Sequence, residues 1–217
     1  MSASTVVRFD GVEVTGIIEG SGPIGILLAH GAGTNQGHPS IATLRKGLAA
    51  GGHRVMSFNY PYTERGSKRP DRQEMLLACH RAAAGVLETE VDEVYLAGRS
   101  MGGRMGTYLA AQGYRARGLV LYAYPLHPPG KPEKLRVEQF ADISIPMLFL
   151  QGTRDALSKM ELFEQHIGSL PTAEVELLED AGHGYRGGGW DLAKITGRYM
   201  SGTLSWIERM SSGRTSR

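Results

Sequence analysis

The stretch Glu93–Ala111, reading Glu-Val-Tyr-Leu-Ala-Gly-Arg-Ser-Met-Gly-Gly-Arg-Met-Gly-Thr-Tyr-Leu-Ala-Ala, constrains this chain more than any other. Its apolar first part, bounded by Gly98, reads as a buried strand, and the residues from Met101 onward have helix-forming composition and spacing. Ser100 then sits on the turn between them. Glycines lie two residues to either side of it, at Gly98 and Gly102. In so sharp a turn, side chains at those two positions would collide, and the strained backbone lifts the serine hydroxyl clear of the chain. A strand feeding directly into a helix is also the repeating unit of parallel sheets with crossover helices.

The rest of the sequence continues that alternation. Residues 5–18 alternate around Asp10-Gly11, a two-residue hairpin signal. Strands are then expected at Ile24–Ala29, Arg54–Phe58, Val94–Ala97, Gly118–Tyr122, Pro146–Leu150 and Ala173–Leu178. Helices are expected at Ser40–Ala50, from Asp71 to about Glu88 with Asp71 as its cap, at Met101–Gln112, at Ser158–Ile167, and at Trp190–Met210. Gly197 and Gly202 should break or soften the last of these. The expected fold class is α/β, a doubly wound, mostly parallel sheet with helices on both faces. One domain is expected over residues 1–210, with a disordered polar tail at 211–217.

Charge and cysteine content exclude several classes. Formal net charge is +2 with both signs mixed along the chain, so neither nucleic acid nor an anionic membrane is expected as a partner. The single cysteine, Cys79, cannot form an internal disulfide and reads as a small core residue. The first residues show no basic segment followed by an apolar one, and no apolar run is long enough to span a bilayer. The expectation is a soluble, cytoplasmic protein.

In a doubly wound sheet, chemistry belongs at the carboxyl ends of the strands. His30-Gly31-Ala32-Gly33, Ser100, Asp155 and His183 all fall there. Gly98-Arg99-Ser100-Met101-Gly102 is G-x-S-x-G, a nucleophile elbow; among 30 glycines the pattern recurs by chance, so its context decides. A serine hydroxyl needs a neighbouring base that titrates near neutrality, and His183 supplies an imidazole. Asp155 is the carboxylate expected to hold that ring. Asp180, three residues before His183, reads instead as a turn-shaping residue, and Asp142 falls at the wrong edge of the sheet.

Among the other histidines, His30 reads as a loop-shaping residue bonded to backbone, and His38, His53, His80 and His166 as surface or helix residues. His127 is the competing base. The amides of Ala32 and Met101 are the expected oxyanion donors. Arg99 and Arg104 flank the elbow, either drawing in an anionic substrate or standing solvated or ion-paired. Gly31-x-Gly33-x-x-x-Gly37 is one residue too long for a dinucleotide fingerprint, and no histidine or cysteine pair has metal-ligand spacing. No cofactor and no metal are expected.

Together His30-Gly31-Ala32-Gly33, Gly98–Arg104, Leu126–Lys131, Gln151–Asp155 and Gly182-His183 resemble the α/β-hydrolases. The resemblance is close to the small, dienelactone-hydrolase-related members, and closest to the group of testis-expressed hydrolase-like proteins and their bacterial relatives. It implies Ser100 as nucleophile, Asp155 as acid, His183 as base and the loop at Ala32 as oxyanion site. Dienelactone hydrolases proper carry cysteine where this chain has Ser100, so the resemblance does not extend to their lactone opening. Many hydrolases insert a helical cap after the strand matching Gly118–Tyr122; the proline-rich connection here is too short for one. An open pocket and a small-molecule ester of a short or exposed acyl group follow. Two alternatives share the sequence pattern: an amidase or peptidase using the same residues, and a catalytically silent interaction module.

Overall fold

Asp10 and Gly11, with φ of 45° and 74°, close the first hairpin with the positive angles that the right-handed twist of paired strands favours. They join β1 (Ser2–Phe9) to β2 (Val12–Glu19). The computed structural model describes residues 2–184 and 188–212. After the hairpin come β3 (Ile24–Ala29), α1 (Pro39–Ala50), β4 (Arg54–Phe58), α2 (Pro61–Glu64) and α3 (Gln73–Glu88). Then follow β5 (Glu93–Arg99), α4 (Met101–Ala111), β6 (Gly118–Tyr122), β7 (Met147–Gly152), α5 (Met160–His166), β8 (Ala173–Leu178) and α6 (Leu192–Ser212).

The strands form one sheet in the order β1-β2-β4-β3-β5-β6-β7-β8. β1 and β2 run antiparallel to their neighbours, and every pairing from β4 to β8 is parallel. Alternation along β3 shows how two helical layers cover it. Ile26 and Leu28 point to the layer of α1 and α6, with Leu44, Leu48 and Trp206. Leu27 and Ala29 point to the layer of α3, α4 and α5, with Leu76, Met105 and Phe163. A strand covered on both faces needs apolar residues at every position, which is why β3 reads as an unbroken run. Trp206 is fully buried and packs so closely on β6 that a Cβ at Gly118 would lie 2.7 Å from its ring.

Three readings of the sequence need correction. α6 is continuous through Gly197 and Gly202. A Cβ at Gly202 would sit 2.7 Å from Leu150 and from the Glu176 carboxylate, so that glycine permits close approach of helix to sheet rather than breaking the helix. Asp71 does not cap α3, whose cap position is Arg72 with no side-chain cap bond; the Asp71 carboxylate pairs with Arg65 instead. His80 lies on α3, as one of the two expected settings, and is fully buried there, with Nδ1 3.0 Å from the Tyr60 hydroxyl. Ser211 and Ser212, expected in the tail, belong to α6; residues 213–217 lie outside the described residues.

Candidate active site

The carboxyl ends of β3, β5, β7 and β8 bring the four predicted loops to one edge of the sheet. At the end of β5, Ser100 has φ 52° and ψ −117°, angles at the first central position of a type II′ turn that glycine ordinarily takes. Its amide donates to the Tyr122 carbonyl of β6 at 2.9 Å, and its carbonyl accepts the first bond of α4 from Arg104 at 3.0 Å. The flanking glycines are sterically required. A Cβ on Gly98 would lie 2.5 Å from Gly102 and Gly103 backbone, and one on Gly102 would lie 2.5 Å from the Ala29 carbonyl oxygen.

Ser100 Oγ stands 3.0 Å from His183 Nε2, and His183 Nδ1 stands 2.8 Å from Asp155 Oδ2. An ionised carboxylate only accepts, which assigns the ring hydrogen to Nδ1 and leaves Nε2 as acceptor for the serine hydroxyl. The Asp155 side chain is wholly buried, whereas His183 keeps 22% of its side-chain surface exposed. A buried carboxylate is tolerable only when its lone pairs are used. Asp155 accepts two further bonds, from Gln151 Nε2 to Oδ2 at 2.9 Å and from the Leu157 amide to Oδ1 at 2.8 Å. Neither partner is singled out by the sequence reading, although Gln151 opens the Gln151–Asp155 motif four residues before the acid.

The competing residues have other duties. Asp180 has φ 61° and its carboxylate pairs with Arg154 at 2.6 Å, while its amide donates to Thr153 Oγ1 at 2.8 Å. His127 is buried, and both its ring nitrogens are spent on backbone: Nδ1–H donates to the Pro128 carbonyl at 3.0 Å, and Nε2 accepts from the Lys159 amide at 3.2 Å. His30 is likewise buried between backbone groups, with Nδ1–H donating to the Gly31 carbonyl at 2.9 Å and Nε2 accepting from the Tyr60 amide at 3.3 Å. Burial lowers its pKa from 6.5 to about 4. His30 therefore shapes the loop that carries Ala32. Arg99, beside Ser100, donates through Nη2 to the His183 carbonyl.

A cavity of about 360 Å³ opens at Ser100; Ala32, Met101, Arg104, Arg136 and Leu157 are among its walls. The amides of Ala32 and Met101, two residues that line this cavity, have no hydrogen-bond partner among the described residues. The rim comes from the connection between β6 and β7, residues 123–146, which contains one short 3-10 helix, Glu138–Asp142, and no inserted layer. The arrangement pairs a largely buried hydroxyl that lines an open cavity with an oriented imidazole.

The sequence profile of a family described as alpha/beta hydrolase domain matches residues 23–198. The chain belongs to the α/β-hydrolases. Among solved structures similar to it is Est1E from Butyrivibrio proteoclasticus, at 14% identity and TM-score 0.75, covering 94% of this chain and 99% of that one. Another is XC6422 from Xanthomonas campestris, described as an α/β serine hydrolase without a lid, at 18% identity and TM-score 0.74, covering 94% of each chain. A third, from Klebsiella pneumoniae, is described as a dienelactone hydrolase, at 19% identity and TM-score 0.74, covering 96% of this chain and 98% of that one. Identities this low establish a shared fold. No helix among the described residues is long and apolar enough to cross a membrane.

Proposed function

We propose that the protein is a serine hydrolase of carboxylesterase type, cleaving an ester or thioester of a small or exposed acyl group. The observation that carries this reading is the unbroken hydrogen-bonded series from Ser100 Oγ through His183 to Asp155 at the mouth of a cavity. His183 Nε2 takes the hydroxyl proton as Ser100 Oγ bonds to the substrate carbonyl carbon. The carbonyl oxygen becomes an anion facing the Met101 and Ala32 amides, each worth a few kcal/mol there. Collapse of the tetrahedral adduct breaks the bond to the leaving alcohol or thiol, which receives the proton from His183. Water then attacks the acyl-enzyme, giving its proton to His183, and the acid departs as Ser100 recovers its hydrogen. Asp155 holds the ring in the required tautomer and stabilises its positive charge. No cofactor enters these steps.

A connection between β6 and β7 with no inserted layer supports exposed acyl groups over long chains that need an enclosed tunnel. Labelling with a fluorophosphonate probe followed by peptide mass spectrometry tests the reading. Stoichiometric modification at Ser100, absent from His183→Ala, is the expected result. A folded wild-type protein that does not react, or reacts elsewhere, would remove Ser100 from this role.

A further inference from the structure

The cavity wall carries positive charge that the hydrolytic steps do not use. Arg104, one turn into α4 from Ser100, and Arg136, on the rim connection, both face the cavity. Neither pairs with a carboxylate among the described residues: Arg136 Nη1 reaches the Pro125 carbonyl at 3.4 Å, and the Arg104 guanidinium lies 6.0 Å from the Tyr108 ring centroid. The Nε–H of Arg104 is buried with no acceptor among the described residues. Asp71, the one carboxylate in that wall, is already engaged by Arg65. Burial, then the adjacent Arg104 charge, lowers the pKa of Arg136, so two like charges share a partly desolvated space.

A buried polar series ties together the backbones that carry the two arginines. Thr107 Oγ1 donates to the Arg104 carbonyl at 2.7 Å and accepts from Gln139 Nε2 at 3.0 Å. Gln139 Nε2 also donates to the Tyr124 hydroxyl at 2.7 Å, and that hydroxyl donates to the Arg136 carbonyl at 2.7 Å. The backbones of α4 and the rim are thus tied through three buried side chains, Thr107, Gln139 and Tyr124.

We propose that the substrate carries an oxyanion, a carboxylate or phosphate, in addition to the bond that is cleaved, and that Arg104 and Arg136 bind it together. This deepens the serine-hydrolase reading and rests on it. Guanidinium forks match oxyanions with paired, charge-assisted hydrogen bonds, and a neutral substrate leaves both cations unneutralised. The two residues thereby select among esters that Ser100 can attack.

The test compares kcat/KM within matched pairs. On the acyl side, the p-nitrophenyl half-ester of glutaric acid is set against p-nitrophenyl pentanoate. On the alcohol side, m-carboxyphenyl butanoate is set against m-carbamoylphenyl butanoate. The anionic member of at least one pair should be preferred by about tenfold or more, the size of one charge-assisted hydrogen bond. In the double variant Arg104→Gln/Arg136→Gln the ratio should fall toward unity, and in the wild type it should shrink as salt is raised. The ratio is the readout because structural damage would lower both members alike.

Glutarate and phenyl phosphate as competitive inhibitors distinguish a carboxylate from a phosphate. Competition by neither overturns the proposal, as does a wild-type ratio of one or less in both pairs, or a preference that survives the double variant. Neutral esters hydrolysed as well as charged ones, with Ser100 labelled, would remove this proposal alone. Failure to hydrolyse any of the four, without labelling, would remove the serine-hydrolase reading with it.

Discussion

The guanidinium of Arg99 donates to the backbone carbonyl of His183, so the residue before Ser100 holds the loop that carries its proposed base. β5 and the β8–α6 loop are thereby joined by a contact separate from the Ser100–His183 bond itself. Arg99 is expected to act by positioning that base. Arg99→Ala should lower kcat by about ten- to a hundredfold, the scale of an ångström-sized misplacement, with little change in KM. The rate of fluorophosphonate labelling should fall in parallel, and Arg99→Lys should recover part of both. A loss confined to KM would show that the side chain acts on substrate binding instead.

The two candidate acids are separable by conservative substitution. Asp155→Asn should reduce kcat by about ten-thousandfold, because the amide favours the wrong imidazole tautomer. Asp180→Asn breaks only the partly exposed pair with Arg154 and should leave kcat within a fewfold of wild type. Steady-state kinetics on one ester decides between them, and the opposite ranking would reassign the acid.

Two glycines on α4 should respond to alanine in opposite directions. Gly102→Ala forces a methyl to within 2.5 Å of the Ala29 carbonyl oxygen and should cost about 3 kcal/mol or more. At Gly106 the nearest atom to a new methyl is 3.7 Å away, an ordinary contact, so Gly106→Ala should stabilise by about 0.5–1 kcal/mol through helix propensity. Urea midpoints measure both.

Stability should fall with acid before the carboxylates titrate. His30 and His80 have their pKa values lowered from 6.5 to about 4 and about 3, chiefly by burial. Between those values and 6.5 the unfolded chain binds protons that the folded chain refuses. Stability is therefore full above about pH 6.5 and declines below it, by up to about 1.4 kcal/mol per pH unit for each histidine. Unfolding curves between pH 7 and 4 should show that slope, and His80→Gln should roughly halve it. An unchanged slope in that variant would assign the acid sensitivity to other groups.

The elements legible in the sequence were those whose pattern is local. Arg54–Phe58, Gly118–Tyr122 and Ala173–Leu178 occur at the expected bounds because short apolar or alternating runs between turn residues can do little else. That Ser100, His183 and Asp155 would meet was legible because each lies in a loop after its strand, at the same sheet edge. Hidden from sequence were features that depend on chains meeting from a distance. The insertion of β4 between β2 and β3 is one. The use of Gln151 and Leu157 to hold Asp155, and the approach of Arg136 to Arg104, are others. Gly202 misled for the same reason: its purpose is a contact with β7 and β8 that helix propensity does not contain.

The backbone at Ser100, with φ 52° and ψ −117°, occupies a region where a Cβ costs on the order of 1–3 kcal/mol. Ser100→Gly should therefore yield a protein that resists urea better than wild type, while Ser100→Ala, which keeps the Cβ, should not. The chain gives up conformational stability at the residue proposed as nucleophile, so a gain of robustness and a loss of the proposed reactivity are coupled in a single substitution. Selection for heat or denaturant tolerance alone would drive this position toward glycine and away from the hydroxyl that the proposed chemistry needs.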